Sequence, residues 1–214
     1  MEKQLAILMA DLTGYTAMTD AHGGESAARI VGKYMSIVGE ALYGTARLMQ
    51  RVGDQVVITA ENASDLFTTA TRVNTLTHEE QHFLNIHAGL HYGAIYVEDG
   101  NLFGSTINVA ARIMNLASRG QILCSSAFLS QLPRAAQPLF RSIGIQKLKN
   151  VLTDIELFEM ESSTFSNNEI DPVCHMHIAT ATTRFEIPYK GNTYYFCSQR
   201  CLTLFQNEPD QFVS

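Results

Sequence analysis

Residues 5 to 10, LAILMA, are apolar at every position, the pattern of a buried strand, and the run stops at Asp11. TDAHGGES then supplies turn residues ahead of a helical pattern predicted from Ala27 to Ala46. RLMQRV and QVVITA are short β-rich runs joined at Gly53–Asp54, a dipeptide that closes a tight hairpin, so Asp54 is expected at a hairpin tip. Asn62 or Ser64 can cap a second helix reaching about Phe83, and NIHAGLHYGAIYV reads as a strand and its exit. A third helix is predicted from Ser105 to Ala117, stopped by Gly120. QILCS is a further strand, SAFLSQL a short helix ended by Pro133, and FRSIGIQKLKN with IELFEM a last strand pair. The order βαββαβ predicts an α+β fold of the ferredoxin-like kind, a mainly antiparallel sheet with helices on one face, over residues 1–160. ESSTFSNNE, polar and free of large aliphatics, reads as a linker over residues 161–169. A small second unit, residues 170–214, follows.

With 214 residues, 46% of them hydrophobic, the chain can bury one sizeable core and leave material for that second unit. The net charge of -6 and the absence of any lysine or arginine run exclude nucleic acid as an expected partner. Nowhere do eighteen apolar residues run together, and LAILMA is too short for a signal segment, so no membrane contact is expected and the protein reads as soluble and cytoplasmic. Reducing surroundings disfavour disulfides, which leaves the four cysteines as metal ligands or buried thiols. Three of them crowd the C-terminus.

Chemistry concentrates at a few positions. Two strand-end carboxylates, Asp11 and Asp54, could clamp a pair of divalent ions if they face each other. Asn108 and Arg112 stand four residues apart on a predicted helix, so one face offers an amide and a guanidinium together. His78-Glu-Glu-Gln-His82 matches the zinc-binding H-E-x-x-H pattern but falls at the polar end of a helix with no apolar flank, and reads as a solvated face.

ADLTGYT, VGDQVV and FGSTINVAARI followed by SRGQILCS, in that order, resemble the successive signatures of class III nucleotidyl cyclase catalytic domains over roughly residues 1 to 160. The resemblance implies conversion of a purine nucleoside triphosphate to a 3′,5′-cyclic nucleotide and pyrophosphate. By it, Asp11 and Asp54 bind two Mg²⁺ or Mn²⁺ ions, Asn108 orients the ribose and Arg112 stabilises the pentavalent phosphorus. The backbone amides of Thr13, Gly14, Tyr15 and Thr16 would meet the triphosphate at a helix start, and Lys149 is a candidate phosphate contact weighed against an ordinary surface lysine. Adenylyl cyclases of this type carry a lysine and an aspartate in the purine pocket where this chain has Gln50 and Asn101; two amides can read adenine or guanine, so the base stays open. The family draws its metal carboxylates from one protomer and its Asn/Arg pair from the other, which implies a head-to-tail homodimer. The amide substitutions also keep a catalytically inactive sensor or dimerisation module in view.

DPVCHMHI and YKGNTYYFCSQRCLTLFQNEPDQF resemble the YHS domain, a small treble-cysteine module. Cys197 and Cys201, at i and i+4, would project to one side of a helix, and with Cys174 they form a candidate soft-metal site for Zn²⁺ or Cu⁺. His175 or His177 is the candidate fourth ligand; most such modules carry glycine at the position of His175. The alternative is a mini-core in which the cysteines are small buried hydrophobes beside Tyr194, Tyr195, Phe196 and Phe205.

Overall fold

The apolar run beginning at Leu5 becomes the middle of an eight-stranded sheet in the computed structural model, which describes residues 2–99, 101–161, 168–179 and 183–213. Strand β1 (Glu2–Leu12) lies between β3 (Gln55–Ala60) and β4 (Ile86–Glu98), antiparallel to both. The full order is β2-β3-β1-β4-β6-β8-β7, where β2 is Arg47–Val52, β6 Ile122–Ser125, β7 Phe140–Gln146 and β8 Ile155–Met160; β5 (Asn101–Phe103) pairs with β4. Only β4 and β6 run parallel, so the antiparallel-rich α+β architecture stands as expected.

Side chains of β1 alternate between two buried layers. Ala6, Leu8 and Ala10 pack with Tyr34 and Val38 of helix α1 (Tyr15–Ala41) and Leu66 and Val73 of α2 (Ala63–Glu79). Leu5, Ile7 and Met9 pack on the other side with Ala110 and Met114 of α3 (Ser105–Leu116). Helices therefore cover both faces rather than one, which is the physical reason β1 is apolar at every position instead of alternating. Gly89 of β4 permits the closest approach: a Cβ there would stand 2.3 Å from the Met114 nitrogen and 2.5 Å from the Ala110 oxygen. No described helix is long and apolar enough to cross a membrane.

One helix differs from expectation. TDAHGG lies inside α1, which starts at Tyr15 and breaks at Gly23 (φ 81°, ψ 171°) before resuming to Ala41. Turn-forming residues here make a kink, because glycine adopts a backbone region that other residues resist. Asn62 caps α2 as predicted, accepting from the Asp65 amide at 2.8 Å. That helix ends at Glu79 and His82 sits at positive φ beyond it, so the H-E-x-x-H residues do not share a helical face.

The C-terminal unit contains hairpins β9–β10 (Asn168–Ile170, His177–Ala179) and β11–β12 (Phe185–Tyr189, Asn192–Phe196), then α5 (Gln199–Asn207) and α6 (Pro209–Phe212). Residues 162–167 of the expected linker lie outside the described residues, and its last two positions already belong to β9. Phe196 and Phe205 are fully buried with ring centroids 5.1 Å apart. Val173, Cys174, Met176 and Cys201 join the apolar layer that holds α1 and α2, so this unit packs against the larger one. His177 completes the seam, its backbone N–H donating to the Phe83 carbonyl at 2.9 Å.

Candidate nucleotide and metal sites

Asp11 ends β1 and Asp54 sits in the β2–β3 turn, and pairing of β1 with β3 brings the turn alongside the strand end. The two carboxyl groups meet. Burial, then a side-chain hydrogen bond with Asp11 and its charge, push Asp54 up to about 7. Two like charges this close hold a proton between them until a cation replaces it. An all-oxygen donor pair of this kind fits hard ions such as Mg²⁺ or Mn²⁺. Beneath them Tyr34 is fully buried with its hydroxyl unpartnered; burial, then the charges of Asp11 and Asp54, raise its pKa.

The following loop is partly committed already. The Thr13 amide donates to the Asn85 carbonyl at 2.8 Å and its hydroxyl pairs with His87 Nδ1 at 3.0 Å. Gly14, at φ 88°, starts α1 with no capping side chain, so the first-turn amides of Tyr15 and Thr16 face outward as an anion-seeking helix start. The side of Gly14 that a Cβ would occupy is covered by His175, whose Cβ stands 2.5 Å from that position.

Asn108 and Arg112 do share a face of α3, the one turned away from the sheet, since their neighbours Val109, Ala110 and Ile113 are buried. Neither side chain has a hydrogen bond or ion pair with another described residue, Asp11 and Asp54 included. Asn108 lines an open cleft of about 640 Å³ with His91, Ser105, Ser126 and residues 150–155; Lys149, one residue before that segment, is exposed and not part of the lining. His91 in that cleft is held by Ser125 at 2.7 Å and lowered to about 4 by burial. Gln50 and Asn101 are exposed on β2 and β5, without a hydrogen bond between them. One chain thus carries the Asp11–Asp54 pair and the Asn108/Arg112 pair on different elements.

In the C-terminal unit the three cysteines converge. Cys174 and Cys197 sulfurs are 3.4 Å apart, and Cys197 and Cys201 3.6 Å. Only Cys201 is on α5; Cys197 precedes the Ser198 cap, so a knuckle rather than one helix face brings them together. Hydrogen bonds from Cys174 and Cys197 lower the Cys201 thiol to about 5, which makes it the thiolate of the set. Asp171 ties the two loops: its buried carboxylate accepts from the amides of Val173 at 2.8 Å, Cys174 at 3.3 Å and Cys197 at 2.8 Å.

The fourth position belongs to neither expected histidine. His177 bonds the Glu80 carbonyl through Nε2 and lies against the His78 ring, while His175 accepts from Arg119 at 2.5 Å. His22 of α1 stands there instead, Nε2 at 3.4 Å from both Cys197 and Cys201 sulfurs. Its only trace in the sequence is a histidine beside Gly23-Gly24, and nothing in that spacing points to cysteines 175 and 179 residues away. The fourth cysteine, Cys124, is a core residue whose thiol burial raises to about 12.

A solved structure of adenylate cyclases from Trypanosoma brucei in their monomeric state superposes with TM-score 0.69 at 15% identity, over 77% of this chain and 92% of that one. That share of the chain has the cyclase fold. Sequence relatives agree: a pH-sensitive adenylate cyclase of Mycobacterium tuberculosis is 22% identical over 161 residues, and an adenylate cyclase of Streptomyces coelicolor 27% over 136. Those matches take in 74% and 63% of this chain but 41% and 35% of the relatives, so the chain spans less than half their length. Residues 170–214 match the YHS domain family.

Proposed function

We propose that this chain is one protomer of a homodimeric nucleotidyl cyclase that converts ATP or GTP to the 3′,5′-cyclic nucleotide and pyrophosphate, and that its C-terminal YHS unit binds a soft metal. The observation that carries the cyclase reading is the split site: paired Asp11 and Asp54 on one surface, unpartnered Asn108 and Arg112 on another. Two copies arranged head to tail bring complementary halves together twice.

When bound between Asp11 and Asp54, divalent ions would acidify the ribose 3′-hydroxyl and neutralise phosphate charge. The carboxylates hold that position, and the first-turn amides of α1 bind the triphosphate tail. Asn108 of the facing protomer orients the ribose. Arg112 donates two N–H groups to the α-phosphoryl oxygens as the 3′-oxygen bond to phosphorus forms and the bond to the bridging oxygen breaks. Gln50 and Asn101 read the base, and Lys149 approaches the leaving pyrophosphate. Incubation of the purified chain with ATP or GTP and Mn²⁺ tests this: cyclic product is expected, and is lost in Asp54→Ala. Nucleotide binding without product from either triphosphate would sink the enzyme reading.

One observation favours the second reading, a cyclase-fold nucleotide sensor. His175 covers Gly14 and crowds the loop on which a triphosphate would rest, which opposes turnover in this arrangement.

A further inference from the structure

His22 is a residue of the cyclase-fold unit, yet its imidazole stands among the cysteines of the YHS unit. A tetrahedral ion with Zn–S about 2.3 Å and Zn–N about 2.0 Å requires S···S near 3.8 Å and S···N near 3.5 Å. The observed separations are 3.4 Å for Cys174–Cys197, 3.6 Å for Cys197–Cys201 and 3.4 Å from His22 Nε2 to each of Cys197 and Cys201, and all four donor atoms lie within 4.8 Å of one another. Nothing about the Cys174, Cys197 and Cys201 set needs a ligand from another unit, and both nearer histidines are engaged elsewhere. We infer that His22 completes a four-coordinate Cys₃His zinc site shared between the two units, so that the ion clasps the YHS unit onto the nucleotide-facing end of α1.

Three further features fit a clasp. The break in α1 at Gly23 falls one residue after His22 and marks off the segment from Tyr15 to His22. The YHS unit grips that segment at its far end as well, where His175 covers Gly14 and accepts from Arg119. His175 does so at φ 65°, a left-handed conformation costing about 1 kcal/mol outside glycine, which the contact to Gly14 and the Arg119 hydrogen bond hold in place. Finally, His22 and Cys197 line an open cleft of about 350 Å³ with Arg29, Lys33 and Phe83, which gives an ion a path in and out. Zinc occupancy at His22 therefore bears on whether His175 stays over the triphosphate loop.

The inference rests on the cysteines being metal ligands and is independent of the cyclase reading. The full chain, stripped of metal under reducing conditions, is titrated with Co²⁺ and then Zn²⁺. Wild type is expected to bind one equivalent with the visible ligand-field bands of tetrahedral cobalt. His22→Ala is expected to bind at least about tenfold more weakly with altered bands. His22→Cys should regain affinity, its sulfur-to-cobalt charge transfer rising from three thiolates' worth to four, which separates ligand loss from misfolding. Hydrogen exchange supplies the clasp readout: Zn²⁺ should slow amides of residues 15–22 in wild type and not in His22→Ala. Unchanged cobalt affinity and bands in His22→Ala, with the ion lost in Cys201→Ser, would overturn the shared site and leave the cysteine reading standing. Retention in Cys201→Ser as well would remove both. Protection by Zn²⁺ confined to residues 168–213 would overturn the clasp.

Discussion

Lowering the pH from 8 to 6 should weaken Mn²⁺ binding at the carboxylate pair about tenfold. Asp54 is raised to about 7 by burial and by Asp11, so near neutrality the empty pair keeps a proton that a cation must displace. Apparent affinity then falls by the factor 1 + 10^(pKa − pH), which is about 1.1 at pH 8, about 2 at pH 7 and about 11 at pH 6. The span corresponds to about 1.4 kcal/mol. The sign for folding runs the same way: a carboxyl raised in the folded state favours folding of the metal-free protein most below its unfolded value near 3.8, and that contribution is lost as pH rises through about 7. Asp54 is only half-buried, so solvent screening leaves the folding effect small beside the metal effect. Mn²⁺ is the ion to use because it prefers oxygen donors and leaves the thiolate cluster aside. Calorimetry at pH 6, 7 and 8, in buffers of different ionisation enthalpy, should also show about half a proton released per site at pH 7. Affinity flat across this range, or an unaltered pH slope in Asp54→Asn, would refute the shared-proton reasoning.

Arg112→Ala should lower turnover by about 10²–10³ with little change in the thermal midpoint, because the half-buried side chain has no hydrogen bond or ion pair to another described residue. Mixing Arg112→Ala with Asp54→Ala should restore about a quarter of wild-type activity, since half the dimers are mixed and each holds one intact site; no rescue would count against the head-to-tail dimer. Gly89→Val should cost more than about 1–3 kcal/mol in urea denaturation, because the new side chain meets the α3 backbone rather than a yielding side chain. Asp171→Ala leaves three buried amides without their acceptor and should weaken Co²⁺ binding by about 10- to 100-fold, read from the ligand-field bands.

Local patterns were enough for most of the architecture. The unbroken apolar run before Asp11, the Gly53–Asp54 turn and the Asn62 cap each carry their instruction within a few neighbouring residues, so strands, hairpin and helix start could be read directly. The separation of Asn108 and Arg112 onto an outward face also follows from helical spacing. What periodicity does not encode is which elements cover which face. Continuous burial of β1 is equally compatible with one partner layer or two, and only packing at Gly89 puts α3 opposite α1 and α2. TDAHGG has turn composition, yet surrounding helix on both sides turns Gly23 into a kink instead of a terminus.

The cysteine–histidine cluster marks the limit most clearly. Cys174, Cys197 and Cys201 announce themselves because thiols are few and close in the chain. His22 does not, since ligands from distant segments meet through the docking of one unit on another and leave no spacing to detect. His177 had the better claim by proximity, but the seam with α2 uses it to satisfy the Glu80 carbonyl. Residue chemistry decided which groups could bind a nucleotide or a soft ion; their distances in folded space decided which of them stand together.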